Sequence, residues 1–522
     1  MDLHRRAVAS HILPFLSDQP FSCFDWAEAN HLSTESIRRC FSLARSLGMR
    51  SFIVEDIPAE GIIHAENQEL NALVPDHTMP ELKRLSFWTE PIADVMAVAS
   101  TNPAALCGYA IVKHDRVPSR NRDRWHVFEA VFRKYPHEHN CVPTQGNYRL
   151  RVSDTEFTIP GILYAQQNGL NKVCAHVALR TLLSRQVPAG DLSYAEINRL
   201  AAKAAPGPYD PAAGLGPPHI RAILRHFKLA FRDIDYAEEE NISKDIRLTH
   251  PFQKFIYAGI ESGCGALLGF RMTGPSASCE KHIIPFFGHT FNKDTWVPDA
   301  DRAYFDVGGG VGYIPSESWT SSFLGHDDNF GPNLCVPRLY VKPDQAEYVV
   351  ELLRDGVAYS GVHAEAITLI FLYSLWPHMA KSHNPWMKRL AAAAHPDLRR
   401  VVLRAVCVSK DAYLQHVRAE ADWDGNRENP DFVAILDQFL PQMLWVVEIS
   451  LPHIFPANEH KLGEILLHPF VPFDPKAPIN YALFLLARLP GRCFVLKSSA
   501  GASPSFMEAP SACTSHRALL KL

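Results

Sequence analysis

Residues 164–185 read YAQQNGLNKVCAHVALRTLLSR. A polar, glycine-containing loop runs into an apolar helix. Asn171 is placed to cap that helix, which puts Cys174 in its first turn. There the unpaired N–H groups and the positive end of the helix dipole favour a thiolate. Ala178 and Leu182 follow at i+4 steps, so one face of the helix packs into a core. Taken alone, a cysteine in such a helix is most often a small buried residue. What lies further along the chain decides between the two readings.

Residues 252–305 read FQKFIYAGIESGCGALLGFRMTGPSASCEKHIIPFFGHTFNKDTWVPDADRAYF. The pattern predicts a helix to about Ser262 and a strand from Ala266 to Met272. A Gly/Pro/Ser loop follows, then a buried strand opening at His282. A turn at Asn292 to Asp294 leads to a third strand near Trp296, and Asp299 lies just after it. Adjacent antiparallel strands can bring His282 and Asp299 together. A Cys-His-Asp triad needs that: a base beside the thiol, and a carboxylate that fixes the imidazole tautomer and supports the imidazolium. His289 is the rival base, with Asp294, Asp299 and Asp301 nearby. The odd separation of positions 282 and 289 puts the two rings on opposite faces of an unbroken strand.

In order, the chain has a glutamine-containing loop, a Cys at a helix start, a small-residue strand, then His282, apolar Ile283 to Phe287, Gly288, a turn, and Trp296-Val297-Pro298-Asp299. This order, over about residues 160 to 345, resembles the papain-like cysteine peptidase superfamily, and most of all the double-glycine leader peptidases of bacteria. The resemblance implies an α+β core in which a helix bearing Cys174 packs on an antiparallel sheet carrying His282 and Asp299. It also implies an upstream glutamine that binds the oxyanion together with the Cys174 N–H. The position of the family's glutamine carries Asn168 here, so the role passes to Gln167, with one extra residue in the loop. Proline stands before Asp299 rather than after it, and Ala175 follows the cysteine. The implied activity is a cysteine hydrolase, peptidase or amidase, acting on a peptide or protein without cofactor or metal. Two alternatives stand beside it: an inactive relative serving as a binding or regulatory protein, and an acyltransferase in which an amine replaces water.

Around this core the 522 residues suggest about two to four domains. Residues 1–155 read as an α/β domain, with helical spacing over Thr34 to Leu47 and strands at Ala105 to Val112 and Trp125 to Phe132. Residues 156–345 are the peptidase-like domain, within which Ser193 and Glu196 form a capping box. Residues 346–497 read as mainly helical, with strand candidates at Val401 to Val408 and Leu444 to Ser450. The Ser/Ala/Pro-rich tail, 498–522, reads as disordered.

Composition excludes several partners. Lys plus Arg is 52 and Asp plus Glu is 56, so the net charge is 52 − 56 = −4, which does not advertise nucleic acid. The most apolar stretch, Ala364 to Trp376, is too short to cross a bilayer. The first residues are basic and then apolar, but His11, Pro14 and Asp18 interrupt them, and they read as mature protein rather than a signal peptide. Eleven cysteines without a CxxC pair fit a reducing cytoplasm. Among 25 histidines, the metal-like spacings HEHNC (137–141) and His363-Ala364-Glu365 read as chance. GHDDNFG (325–331) offers Asp327 and Asp328 to a cation but reads as a solvated loop beside the active-site cleft.

Overall fold

The computed structural model describes residues 9–14, 22–32, 34–134, 140–170, 174–187, 191–204, 210, 214–241, 243–273, 279–292, 296–304, 311–395, 399–422, 425–497, 505–511 and 517–520. The chain is mixed α+β and divides into two compact units. The first comprises Met1–Lys228, Gly269–Gly288 and Leu324–Val336; the second comprises Leu229–Leu268, His289–Phe323 and Pro337–Leu522. No described helix is long and apolar enough to cross a membrane.

In the first unit seven strands form one sheet, in the order Ala9–Pro14, Ser51–Asp56, Leu82–Trp88, Leu106–Val117, Arg122–Phe132, Thr155–Tyr164, Gly146–Val152. Every neighbouring pair is antiparallel. Successive side chains point to opposite faces, and both faces are covered. Phe52, Phe87, Ala110 and Val127 enter one core, with Ile37 and Phe41 of the helix Glu35–Ser46. Ile53, Trp88, Ile111 and Phe128 enter the other. The helix expected at Thr34 to Leu47 and the two expected strands lie within about five residues of the observed elements. The stretches 269–288 and 324–336 add parts of four strands, in the spatial order Gly331–Pro337, Thr320–Asp327, Cys279–Phe291, Ala266–Thr273. These carry the carboxylates and imidazole of the site below.

The second unit holds an eight-stranded sheet in the order Asp301–Arg302, Gly312–Pro315, Val402–Ser409, Met443–Ser450, Gly463–Leu467, Phe484–Leu489, Arg492–Lys497, Ser505–Pro510. One pair, Gly312–Pro315 with Val402–Ser409, is parallel. The helices Phe252–Glu261 and Gly361–Lys381 pack on this sheet. This corrects the expectation of a mainly helical region after 346. The strands Gly463–Leu467 and Phe484–Leu489 are buried at every position, so they show no alternation by which to recognise them. The tail is corrected where it is described, at 505–511 and 517–520. Ser505–Pro510 and Arg517–Ala518 are strands, and Leu519 and Leu520 are buried. The divisions expected at 155/156 and 345/346 do not coincide with the two units. The strand Thr155–Tyr164 spans the first division and pairs with Arg122–Phe132 and Gly146–Val152.

Candidate active site

The loop before Cys174 is held at both ends of its described part. Gln166 exchanges two hydrogen bonds with Val127: its backbone N–H donates to Val127 O, and its Oε1 accepts the Val127 N–H, both at 2.9 Å. Asn168 Oδ1 accepts the Leu170 N–H at 2.9 Å, and Asn168 Nδ2 donates to buried Glu66 at 3.1 Å. Arg122 donates to the carbonyls of Asn168 and Gly169. Gly169 sits at φ +67°, where a side chain would also run into the Arg122 guanidinium. Asn171, the expected cap, lies outside the described residues.

Cys174 is the first residue of the helix Cys174–Leu183 and is half-buried; Ala175 to Leu183 are buried. The helix is anchored by Arg180, which is fully buried. Its guanidinium makes a two-pronged bond to Asp191 at 2.7 and 2.8 Å and a bond to Glu129 at 3.0 Å. His176, two residues past the cysteine, is bonded to Asn198 at 2.7 Å, and burial pushes it down to about 4, so it is a neutral core residue.

The structure brings Cys174 and His282 together: the imidazole is hydrogen-bonded to the thiol. His282 is buried on the strand Cys279–Phe291, with the Phe270 ring packed edge-on at 5.7 Å. Its Nε2 lies 3.1 Å from Asp327 Oδ2 and 3.5 Å from Asp328 Oδ1. Asp327 Oδ1 accepts the N–H groups of Asn329 at 2.8 Å and Phe330 at 3.2 Å. Burial works against the charged form of His282. The bond to Asp327, the bond to Cys174 and the charges of Asp328 and Asp327 outweigh it, and its pKa rises to about 10. Burial likewise opposes ionisation of Asp327, but the His282 bond and charge and the two N–H donors hold its carboxyl below the usual range. Asp328 is pushed up to about 6 by burial, against the pull of His282 and with the repulsion of Asp327.

Asp299 is not the partner of His282. It is exposed, in irregular chain of the second unit, and no strand forms at Trp296. The strand beside the His282 strand is instead Thr320–Asp327, and its end delivers the carboxylate. The stretch GHDDNFG is therefore no solvated loop, since Asp327 and Asp328 are 5 and 4% exposed. Paired acids at the end of an apolar strand are the signal for this role. His289, the rival base, is bonded to Glu261 at 2.6 Å within the second unit. Gln167 is half-buried and donates to Asn329 Oδ1 at 2.6 Å, which ties it to the loop that follows Asp327. Of the other motifs, His363 and Glu365 are buried, with Glu365 bonded to Tyr313 at 2.6 Å. His137 and His139 lie outside the described residues. No family model, curated protein or solved structure matches the chain.

Proposed function

We propose that the chain is a cysteine hydrolase that cleaves amide bonds of a peptide or protein, with Cys174 as nucleophile, His282 as acid and base, and Asp327 as the carboxylate that orients the imidazole. The reading also takes up the resemblance to papain-like peptidases, with Asp327 in the place given to Asp299. One observation carries it: the hydrogen-bonded chain from the Cys174 thiol through His282 to Asp327. A nucleophile, its base and the group that orients the base stand in sequence there. The order Cys, His, Asp along the chain is that of the family.

The Cys174 sulfur attacks the carbonyl carbon, and the imidazolium of His282 gives its proton to the leaving amine as the C–N bond breaks. The acyl group is then a thioester on Cys174. His282 takes a proton from water, the resulting hydroxide adds to the thioester, and the C–S bond breaks to return the thiolate. The backbone N–H at the helix start is one donor to the oxyanion. Gln167 is the second, because its amide has two N–H bonds and Asn329 occupies one of them.

The test is alkylation by iodoacetamide near neutral pH, followed at each cysteine by peptide mapping. Cys335 is exposed and serves as the reference for an accessible thiol. Burial pushes the thiols of Cys107 and Cys493 up to about 12, so they react slowly. Cys174 should react at least about tenfold faster than Cys335. A rate at or below that of Cys335 in the folded protein would remove the catalytic reading.

A further inference from the structure

We propose that His282, Asp327 and Asp328 form a site for a zinc-class divalent cation, and that its occupation takes His282 out of acid–base use. The second half rests on the reading of His282 as the base; the first does not. Ligand atoms of the three residues lie within 4.8 Å of one another. Two carboxylates with side-chain exposures of 7 and 3% face a single imidazole. That is one ring for two buried acids, and a second observation shows which acid goes short. Both oxygens of Asp328 are buried, and neither accepts a well-aligned hydrogen bond from another described residue. Among the described residues the ring, 3.5 Å from Oδ1, is the ion-pair partner of this carboxylate. A buried carboxylate without donors is costly to keep ionised. A cation seated between the ring and the two acids would satisfy it.

The two nitrogen-to-oxygen separations suit a small tetrahedral ion. Around zinc, with bonds of about 2.0 Å, neighbouring ligand atoms stand about 3.3 Å apart. The two nitrogen-to-oxygen separations at His282 are 3.1 and 3.5 Å. The donor set, one imidazole and two carboxylates, is one that zinc takes, leaving a fourth position open. Calcium would ask for six to eight oxygens, and the cluster offers too few. On binding, the Nε2 proton leaves to solvent and the metal takes its place against Asp327. The imidazole then has one free nitrogen. Once that nitrogen carries a proton the ring can accept no other, and it can no longer act as base toward Cys174 or water.

The experiment uses the full chain with zinc as the only probe. Zinc is titrated calorimetrically into metal-free wild type, Asp328→Asn and Asp299→Asn. One site should appear in the wild type, keep its affinity in Asp299→Asn, and weaken by at least about tenfold in Asp328→Asn. If Asp328→Asn does not fold, zinc-edge absorption of the loaded wild type decides. One imidazole with oxygen in the remaining positions supports the site, and a sulfur- or histidine-rich shell overturns it. Affinity that is indifferent to Asp328, or no stoichiometric binding, also overturns it. In parallel, zinc should slow alkylation of Cys174 by iodoacetamide, and a chelator should restore it. Tight, Asp328-dependent binding with unchanged labelling would overturn the second half. Slow labelling in the absence of zinc would instead count against the hydrolase reading and leave the titration to judge the site.

Discussion

At His282 two acids compete for one nitrogen, and their own hydrogen bonds decide the outcome. Asp327 is held by two backbone N–H groups of other residues as well as by the ring, whereas Asp328 accepts no well-aligned hydrogen bond from another described residue. The pinned carboxylate is the one able to fix the ring's orientation. A hydrogen bond to a charged group contributes about 1.5–3 kcal/mol, which is on the order of ten- to a hundredfold in the stability of the imidazolium. Asp327→Asn should therefore slow alkylation of Cys174 by iodoacetamide by at least about tenfold. Asp299→Asn should leave it unchanged, because Asp299 is exposed and the ring's carboxylate partners are Asp327 and Asp328. Equal rates for wild type and Asp327→Asn would take the orienting role away from Asp327. The same residues show how much of the site could be read in advance. Cys174 and His282 announce themselves locally, one by a helix start and the other inside an apolar strand. The acid does not, because its place depends on which strand lies beside that of His282. The sequence neighbour suggested a hairpin to Asp299, while the sheet takes Thr320–Asp327 instead. Strand order is a non-local property, and local pattern carries little of it.

The helix Cys174–Leu183 owes its position to a charge buried on its inward face as well as to its apolar residues. Arg180 bonds Asp191 and Glu129 and also donates to Phe128 O at 3.0 Å, with its guanidinium 4.5 Å from the centre of the Phe128 ring. Desolvation penalises the cation, but Asp191 and then Glu129 more than compensate, and its pKa is raised further. Arg180→Met keeps much of the volume and strands two carboxylates in the core. Breaking such a buried arrangement from one side costs about 3–5 kcal/mol. Urea unfolding should show a loss of that order. The triple variant Arg180→Met, Asp191→Asn, Glu129→Gln, which removes the stranded charges, should recover much of it. A single substitution as harmless as the triple would mean that the charges do not hold the helix. At this scale legibility follows periodicity. The stripe Ile37, Cys40, Phe41, Ala44 and the Ser193 cap, which accepts the Glu196 N–H at 3.1 Å, mark their helices clearly. The runs GEILL and FLLARL are strands buried at every position, and each carries a single charged residue, Glu464 or Arg488, in an otherwise apolar run, so no alternation of apolar and polar residues marks them.

Across the whole molecule, the buried ionisable groups make stability depend on pH from both sides. His176 and His326 in the first unit, and His250, His363 and His416 in the second, are held near 3 to 4 chiefly by burial, against an ordinary 6.5. Between those values the unfolded chain binds more protons than the native one, so stability is lost as pH falls from about 6.5 to about 4. Glu351 and Glu365 act in the opposite direction. Burial pushes Glu351 up to about 8, against the Gly361 N–H and the charge of Arg232, with Glu365 adding. Burial pushes Glu365 up to about 7, against its bond from Tyr313. From an ordinary 4.5 up to these values the native state holds the extra proton. The contribution of these acids is thus fully present below about 4.5 and lost as pH rises through 7 to 8. The wild-type profile sums many groups, so the clean measurement is a difference. Glu351→Gln keeps an oxygen for the Gly361 N–H, which the carboxylate accepts at 3.1 Å, and cannot ionise. Its unfolding midpoint, compared with that of the wild type at each pH, should gain steadily between about pH 5 and pH 8 and level off above. A difference that stays flat across that interval would mean that Glu351 is already ionised in the folded protein at neutral pH.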